Sequence, residues 1–173
     1  VIGVLAVALI VAGLLLYPRS SNSSSSGSGS ARVGGSVPHF SLPNLTVQGS
    51  VGVSQNGGGS GKPIVLIFFA SWCLPCQEET PGLVQAIDEG DAGSVPVLGI
   101  NALDAKAAAQ DFVANHKIPY PVGFDSAGAV TNGLFGFPAL PEVVFVNGAG
   151  VITEIHYGVT TPAEFKAGIK TLR

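Results

Sequence analysis

The sequence predicts an α/β domain in which a mixed sheet carries helices on both faces. Three observations predict it. Two short runs, Ile64–Phe69 and Val95–Asn101, are apolar almost throughout and rich in β-branched and aromatic residues, the pattern of strands buried on both faces. A stretch with helix signals follows each of them. Two further stretches, Val143–Val146 and Val151–Tyr157, flank Asn147-Gly148-Ala149-Gly150 and read as an antiparallel hairpin.

Taken in order, the chain begins with Val1–Tyr17, which holds no charged residue. At helical rise this run reaches roughly 26 Å, slightly short of the roughly 30 Å hydrocarbon core. Met is absent even at position 1, so the reading expects upstream residues to complete the span. The run ends Leu16-Tyr17-Pro18-Arg19, bulky rather than small, which favours a retained transmembrane anchor over a cleaved signal peptide. Residues 18–36 read as a Ser/Gly-rich linker, a flexible tether. The soluble domain is expected over 37–173.

Within it, Val37–Leu45 is extended, because Pro38 and Pro43 forbid helix. A weak strand and a glycine-rich loop follow over 46–61. A helix is expected from near Cys73 to Asp88, kinked at Pro81. Asp104 is placed to cap a helix running to about Lys117. A short helix over Ala127–Leu134 is weakened by Gly128 and Gly133. Thr161-Pro162-Ala163-Glu164 combines a capping box with proline at the first helical position. Phe165, Ile169 and Leu172 then form one apolar face. His116 reads as a polar residue at a helix end and His156 as a surface strand residue.

Composition narrows the function. Eight Lys+Arg against eleven Asp+Glu give a net charge of −3, and no basic patch is available to neutralise nucleic-acid phosphates. Hydrophobic residues make up 46% and charged ones 11%, so the chain can bury a core. The only cysteines are Cys73 and Cys76, which excludes a disulfide-stapled scaffold and a four-cysteine zinc site.

Those cysteines carry the chemistry. In Phe68-Phe69-Ala70-Ser71-Trp72-Cys73-Leu74-Pro75-Cys76, two thiols two residues apart follow a buried strand and open a helix. There the helix dipole and free N–H groups stabilise a thiolate. Cys73 is expected exposed and nucleophilic, and Cys76 shielded and ready to resolve a mixed disulfide. A purely structural bridge closes too short a loop to add much stability. Zinc would need His39, His116 or His156 to converge, and none stands at ligand spacing.

This segment resembles the active site of thioredoxin-fold thiol–disulfide oxidoreductases. Residues 37–173 resemble the membrane-tethered TlpA/ResA/CcmG (DsbE) branch. The matching stretches are Pro38-His39-Phe40-Ser41-Leu42, Gly61-Lys62-Pro63, Phe124-Asp125-Ser126-Ala127-Gly128 and Pro141-Glu142-Val143-Val144-Phe145-Val146-Asn147. The resemblance implies a thioredoxin-like fold, Cys73 as attacking thiol and Cys76 as resolving thiol. It implies a cis peptide before Pro141, with the Leu140 backbone offered to an extended client. It also implies that Trp72 shapes the surroundings of Cys73. Glu79, one turn after Cys76, is implied as a proton shuttle, against the alternative of a solvated helix glutamate. Glu142 reads the client or tunes the site, against the alternative of an exposed strand residue. Ile67 stands where thioredoxins carry a buried aspartate, which leaves Glu79 as the better proton carrier. The chain departs from the pattern at Phe68-Phe69, Pro138, Ala139, Val143 and Asn147, and Gly52–Gly61 looks like an insertion.

The function so implied is reduction of client disulfides on the extracytoplasmic side of a membrane. Apocytochrome c is a candidate client, a DsbD/CcdA-type membrane protein the electron donor, and no cofactor is needed. Competing readings are a disulfide-inserting oxidant and a tethered metallochaperone. A peroxidase is excluded because Leu66 and Ala70 stand where its signature needs proline and threonine.

Overall fold

In a computed structural model, residues 31–54, 61–136 and 139–172 are described. The expected anchor at 1–17, most of the linker, much of the glycine-rich loop and Pro138 lie outside them. The described elements are β1 (Phe40–Pro43), β2 (Ser50–Val53), β3 (Ile64–Phe69), α1 (Leu74–Asp88) and β4 (Val97–Ala102). They continue with α2 (Lys106–Asn115), β5 (Val122–Asp125), β6 (Glu142–Val146), β7 (Ile152–Tyr157) and α3 (Pro162–Lys170). Among the described residues no helix is long and apolar enough to cross a membrane.

The central sheet has the order β5-β4-β3-β6-β7, and β1-β2 form a separate antiparallel pair. β3 pairs parallel with β4 and antiparallel with β6, so it lies at the centre, as its unbroken apolar run requires. β5 was not expected: Val122-Gly123-Phe124-Asp125 is short and its glycine hides the strand signal. It pairs parallel with β4 and is covered in turn by the N-terminal segment, where Leu45 N–H donates to the Val122 carbonyl at 2.8 Å.

The helices occupy one face, which corrects the expectation of helices on both. The steps β3-α1-β4 and β4-α2-β5 advance in the same direction across the sheet, and right-handed crossovers then place α1 and α2 on the same side. α3 joins them there. Alternation along β3 separates the two cores. Val65, Ile67 and Phe69 meet Leu83 of α1, Phe112 of α2 and Phe165 of α3. Leu66 and Phe68 meet Leu42, Val53, Val130 and Phe135 on the other face. Each of these fully buried side chains contributes roughly 1.5–3 kcal/mol.

Three more expectations change. Residues 126–135 form successive turns rather than a helix, held by Asn132 N–H to the Gly128 carbonyl (2.8 Å) and Leu134 N–H to the Val130 carbonyl (3.0 Å). Asp104 does not cap α2: Ala105 is the N-cap and makes no side-chain cap bond. Ala31–Ser36, read as linker, joins the domain through Gly34 N–H to the Ile152 carbonyl (2.8 Å) and a bridge between Ser36 and Val151. By contrast, α3 starts with the capping box predicted for Thr161 and Glu164 and buries Phe165, Ile169 and Leu172. His116 is the C-cap of α2 and stacks on Phe112, with ring centroids 4.1 Å apart.

Candidate active site

The C-terminal ends of β3 and β4 and the start of β6 meet at one end of the sheet. There β3 hands the chain through Ala70–Trp72 to the first turn of α1. Cys73 is the N-cap of α1, in extended conformation, and Pro75 fits the first turn because its missing N–H is not needed there. Cys73 Sγ accepts from the Cys76 N–H at 3.2 Å. Cys73 and Cys76 form a disulfide with Cα atoms 5.2 Å apart. Cys76 is fully buried, and Cys73 keeps only 4% of its surface, which corrects the expectation of an exposed first thiol. Its sulfur is turned toward Cys76, and Leu140 packs against the core cluster that holds both cysteines. The neighbouring side chains carry the exposed surface instead: Trp72 is 57% and Leu74 69% exposed.

The Leu140–Pro141 peptide is cis, as the resemblance implies. Pro141 is buried, Leu140 half-buried, and the Pro141 carbonyl accepts from Gly158 N–H at 2.8 Å. The polypeptide then enters β6 at Glu142.

Both singled-out glutamates are buried, so neither of the solvated alternatives holds. Glu79 projects from α1 toward the sheet and is 3% exposed. Its Oε1 accepts from the Thr160 backbone N–H at 2.7 Å, where the loop after β7 folds over it. Burial raises its pKa from 4.5 to about 7, against the lowering effects of Thr160 and of His156. Glu79 in turn helps burial push up the ionisation of the buried Tyr120 hydroxyl. His156, expected on the surface, is partly buried and bonds Glu154.

Glu142 is 1% exposed, and its Oε2 has no hydrogen-bond partner among the described residues. Burial alone raises its pKa from 4.5 to about 7. Register explains its position. Glu142 lies opposite Phe68 on β3 and Tyr157 on β7, so it shares the face of Phe68, away from the helices. The site therefore has a carboxyl with its pKa raised to about 7 on each side of the sheet: Glu79 on the helix side and Glu142 on the other.

Sequence reasoning missed one participant. The Asp104 carboxylate accepts from the Ser71 N–H (2.6 Å), the Ser71 hydroxyl (2.8 Å), Asn101 Nδ2 (3.0 Å) and the Ala105 N–H (2.8 Å). Beside it, the Leu103 carbonyl accepts from Trp72 Nε1 at 3.0 Å. Its position just after a buried strand was visible, but Ser71, which supplies two of its four bonds, lies 33 residues away in sequence.

A buried CxxC disulfide at a helix N-cap, in a core cluster against which Leu140 of the cis Leu140–Pro141 peptide packs, is suited to dithiol–disulfide exchange. The comparisons agree. The AhpC/TSA family model matches residues 33–155. The thiol:disulfide interchange protein DsbE of Pseudomonas fluorescens biotype C is 32% identical over 75% of this chain and 69% of that protein. The thiol-disulfide oxidoreductase ResA of Oceanobacillus iheyensis is 27% identical over 75% of this chain and 67% of that protein. Among solved structures, a DsbE-type interchange protein from Chlorobium tepidum superimposes with a TM-score of 0.68 at 28% identity, covering 83% of this chain and 99% of the other. A DsbF homologue from Corynebacterium diphtheriae gives 0.68 at 26%, covering 79% and 86%. The fold is thus thioredoxin-like, and the chain belongs to the AhpC/TSA family, as a thiol–disulfide oxidoreductase of the ResA and DsbE type built around Cys73 and Cys76.

Proposed function

We propose that the protein reduces disulfides of client proteins on the extracytoplasmic side of a membrane, tethered there by Val1–Tyr17. The observation that carries this reading is the buried carboxyl of Glu79, one turn beyond Cys76, whose pKa of about 7 lets it take up and release a proton near neutral pH. In the reduced protein, the Cys73 thiolate attacks one sulfur of the client disulfide. A mixed disulfide forms and the client's other sulfur leaves as a thiolate. Cys76 then gives its proton to Glu79 and attacks Cys73 Sγ, releasing the second client thiolate and closing the Cys73–Cys76 bond. The client takes two electrons from the protein; Glu79 passes the Cys76 proton on to one client thiolate, and solvent, which received the Cys73 proton when that thiol ionised, protonates the other.

The remaining site residues take supporting roles in this scheme. The Leu140 backbone pairs with an extended client segment beside Pro141, and Trp72 lines its path. Glu142, being buried, tunes the site from beneath Pro141 rather than reading the client. The likeness to ResA and DsbE supports apocytochrome c, with its closely spaced cysteine pair, as the client, and a DsbD/CcdA-type membrane protein as the source of electrons.

The reduction potential of the Cys73–Cys76 pair tests the direction. A value near or below about −270 mV is expected for a reductant. A value near about −120 mV would make the protein a disulfide-inserting oxidant instead. Cys76→Ala should trap a mixed disulfide through Cys73, and the trapped protein from an extracytoplasmic extract identifies the client.

A further inference from the structure

The segment leading into Cys73 is held by a corner of the chain that belongs to another element. After β4, the backbone turns through Leu103, whose φ of 53° is in the left-handed region that a branched side chain rarely adopts. That conformation sets two acceptors side by side. The Asp104 carboxylate takes both the N–H and the hydroxyl of Ser71, and the Leu103 carbonyl takes the indole N–H of Trp72. The Ser71 carbonyl is occupied as well, by Gln77 Nε2 at 2.8 Å. Every polar group of Ser71 is therefore engaged, two residues before the attacking sulfur. Asp104 itself is saturated by four donors, with Asn101 and its own Ala105 N–H completing the set. The corner is anchored below by Leu103 N–H to the Asp125 carbonyl at 3.0 Å.

A carboxylate with four short charge-assisted bonds is a rigid strut, and such bonds are about twice as strong as neutral ones. Its one function in the fold cannot be to start α2, since it makes no cap bond there. We propose that Leu103–Asp104 is a positioning element of the redox site: it fixes Ser71 and the indole of Trp72, and through them the direction from which a client sulfur reaches Cys73. The inference rests on the thiol–disulfide chemistry of Cys73 and Cys76, and it stands whichever way electrons flow.

Trp72 is the only tryptophan of the chain, so its fluorescence reports on this contact without interference. The test compares wild type, Asp104→Ala and Ser71→Ala in three measurements: the rate of exchange with a model disulfide, the change of Trp72 emission on reduction, and thermal unfolding. Expected for Asp104→Ala is a rate about tenfold lower, since small misplacements of reacting groups carry large rate penalties. The redox-linked change in Trp72 emission should fall at least by about half as the indole leaves its place beside Cys73. Ser71→Ala, which removes one of the two Ser71 bonds, should lower the rate about threefold with little change in unfolding temperature. Asp104→Glu should restore neither signal, because the longer side chain displaces the acceptors. The inference is overturned if Asp104→Ala keeps rate and emission within about twofold of wild type while only its unfolding temperature drops. If Asp104→Ala does not fold, wild-type rate and emission in Ser71→Ala overturn it. An inactive wild type would instead contradict the assignment of the redox site.

Discussion

Asp125 and Glu142 are carboxylates buried at the same end of the central sheet, at 2% and 1% exposure, yet their surroundings are opposite in kind. Asp125 closes β5 and is wrapped by the following turn: Thr131 donates through its N–H and its hydroxyl, both at 2.7 Å, and Val130 N–H adds a bond at 3.1 Å. Glu142 opens β6 and its Oε2 finds no donor among the described residues. Glu79 stands between them with one donor, Thr160 N–H. Burial in itself therefore does not make a carboxylate functional. Where donors are supplied, the charged form is solvated by the protein and the group serves as a strut. Where donors are withheld, burial favours the neutral form, and the group holds a proton near neutrality. Asp104 belongs with Asp125, and Glu79 with Glu142.

The comparison can be broken from either side. Asp125→Ala strips three buried donors of their acceptor and should lower stability by about 3 kcal/mol or more, read by denaturant unfolding. Exchange rate per folded molecule should stay near wild type, because the turn does not touch the sulfurs. Glu79→Gln should do the reverse, leaving stability nearly intact and lowering the rate about 100-fold, as expected for loss of a general base. Its pH–rate profile should lack the ionisation near 7 that the Glu79 carboxyl is expected to give the wild type.

Glu142→Gln tests the donor-poor side through linkage. The folded-state pKa of Glu142 is raised from 4.5 to about 7, so its stabilising contribution is full below pH 4.5 and is lost as pH rises through about 7. The variant cannot ionise there. It should match wild type in acid and exceed it by about 3 kcal/mol at pH 8. A variant less stable than wild type at pH 8 would mean that the charged carboxylate has a partner. The smallest effect sharpens the other side: Thr131→Val removes only one of the hydrogen bonds to Asp125 and should cost about 1 kcal/mol, read by denaturant unfolding.

What the sequence disclosed follows from the range over which each cause acts. The limits of β3, the capping box at Thr161 and the apolar face of α3 depend on neighbours within a few residues, and all were legible. The cysteine pair was legible because its chemistry is written in adjacent residues. The burial of Glu142 was not, because it is set by strand register against Phe68 and Tyr157, 74 and 15 residues away. Glu79 was recognised by its place on α1, but its burial depends on a loop 81 residues further on. Asp104 misled for the same reason: locally it is a good cap, while two of its four donors come from Ser71 in the turn before α1. β5 escaped because four residues containing a glycine gain strand character only from pairing with β4.

The claim that donor-poor burial, rather than burial alone, prepares the site's protons is tested most directly by titrating the side-chain carboxyls of the oxidised protein. Carbon-13 NMR follows each glutamate, and Glu79→Gln and Glu142→Gln assign the two signals. The account predicts midpoints of about 7 for both Glu79 and Glu142. Midpoints near the ordinary 4.5 for both would contradict it.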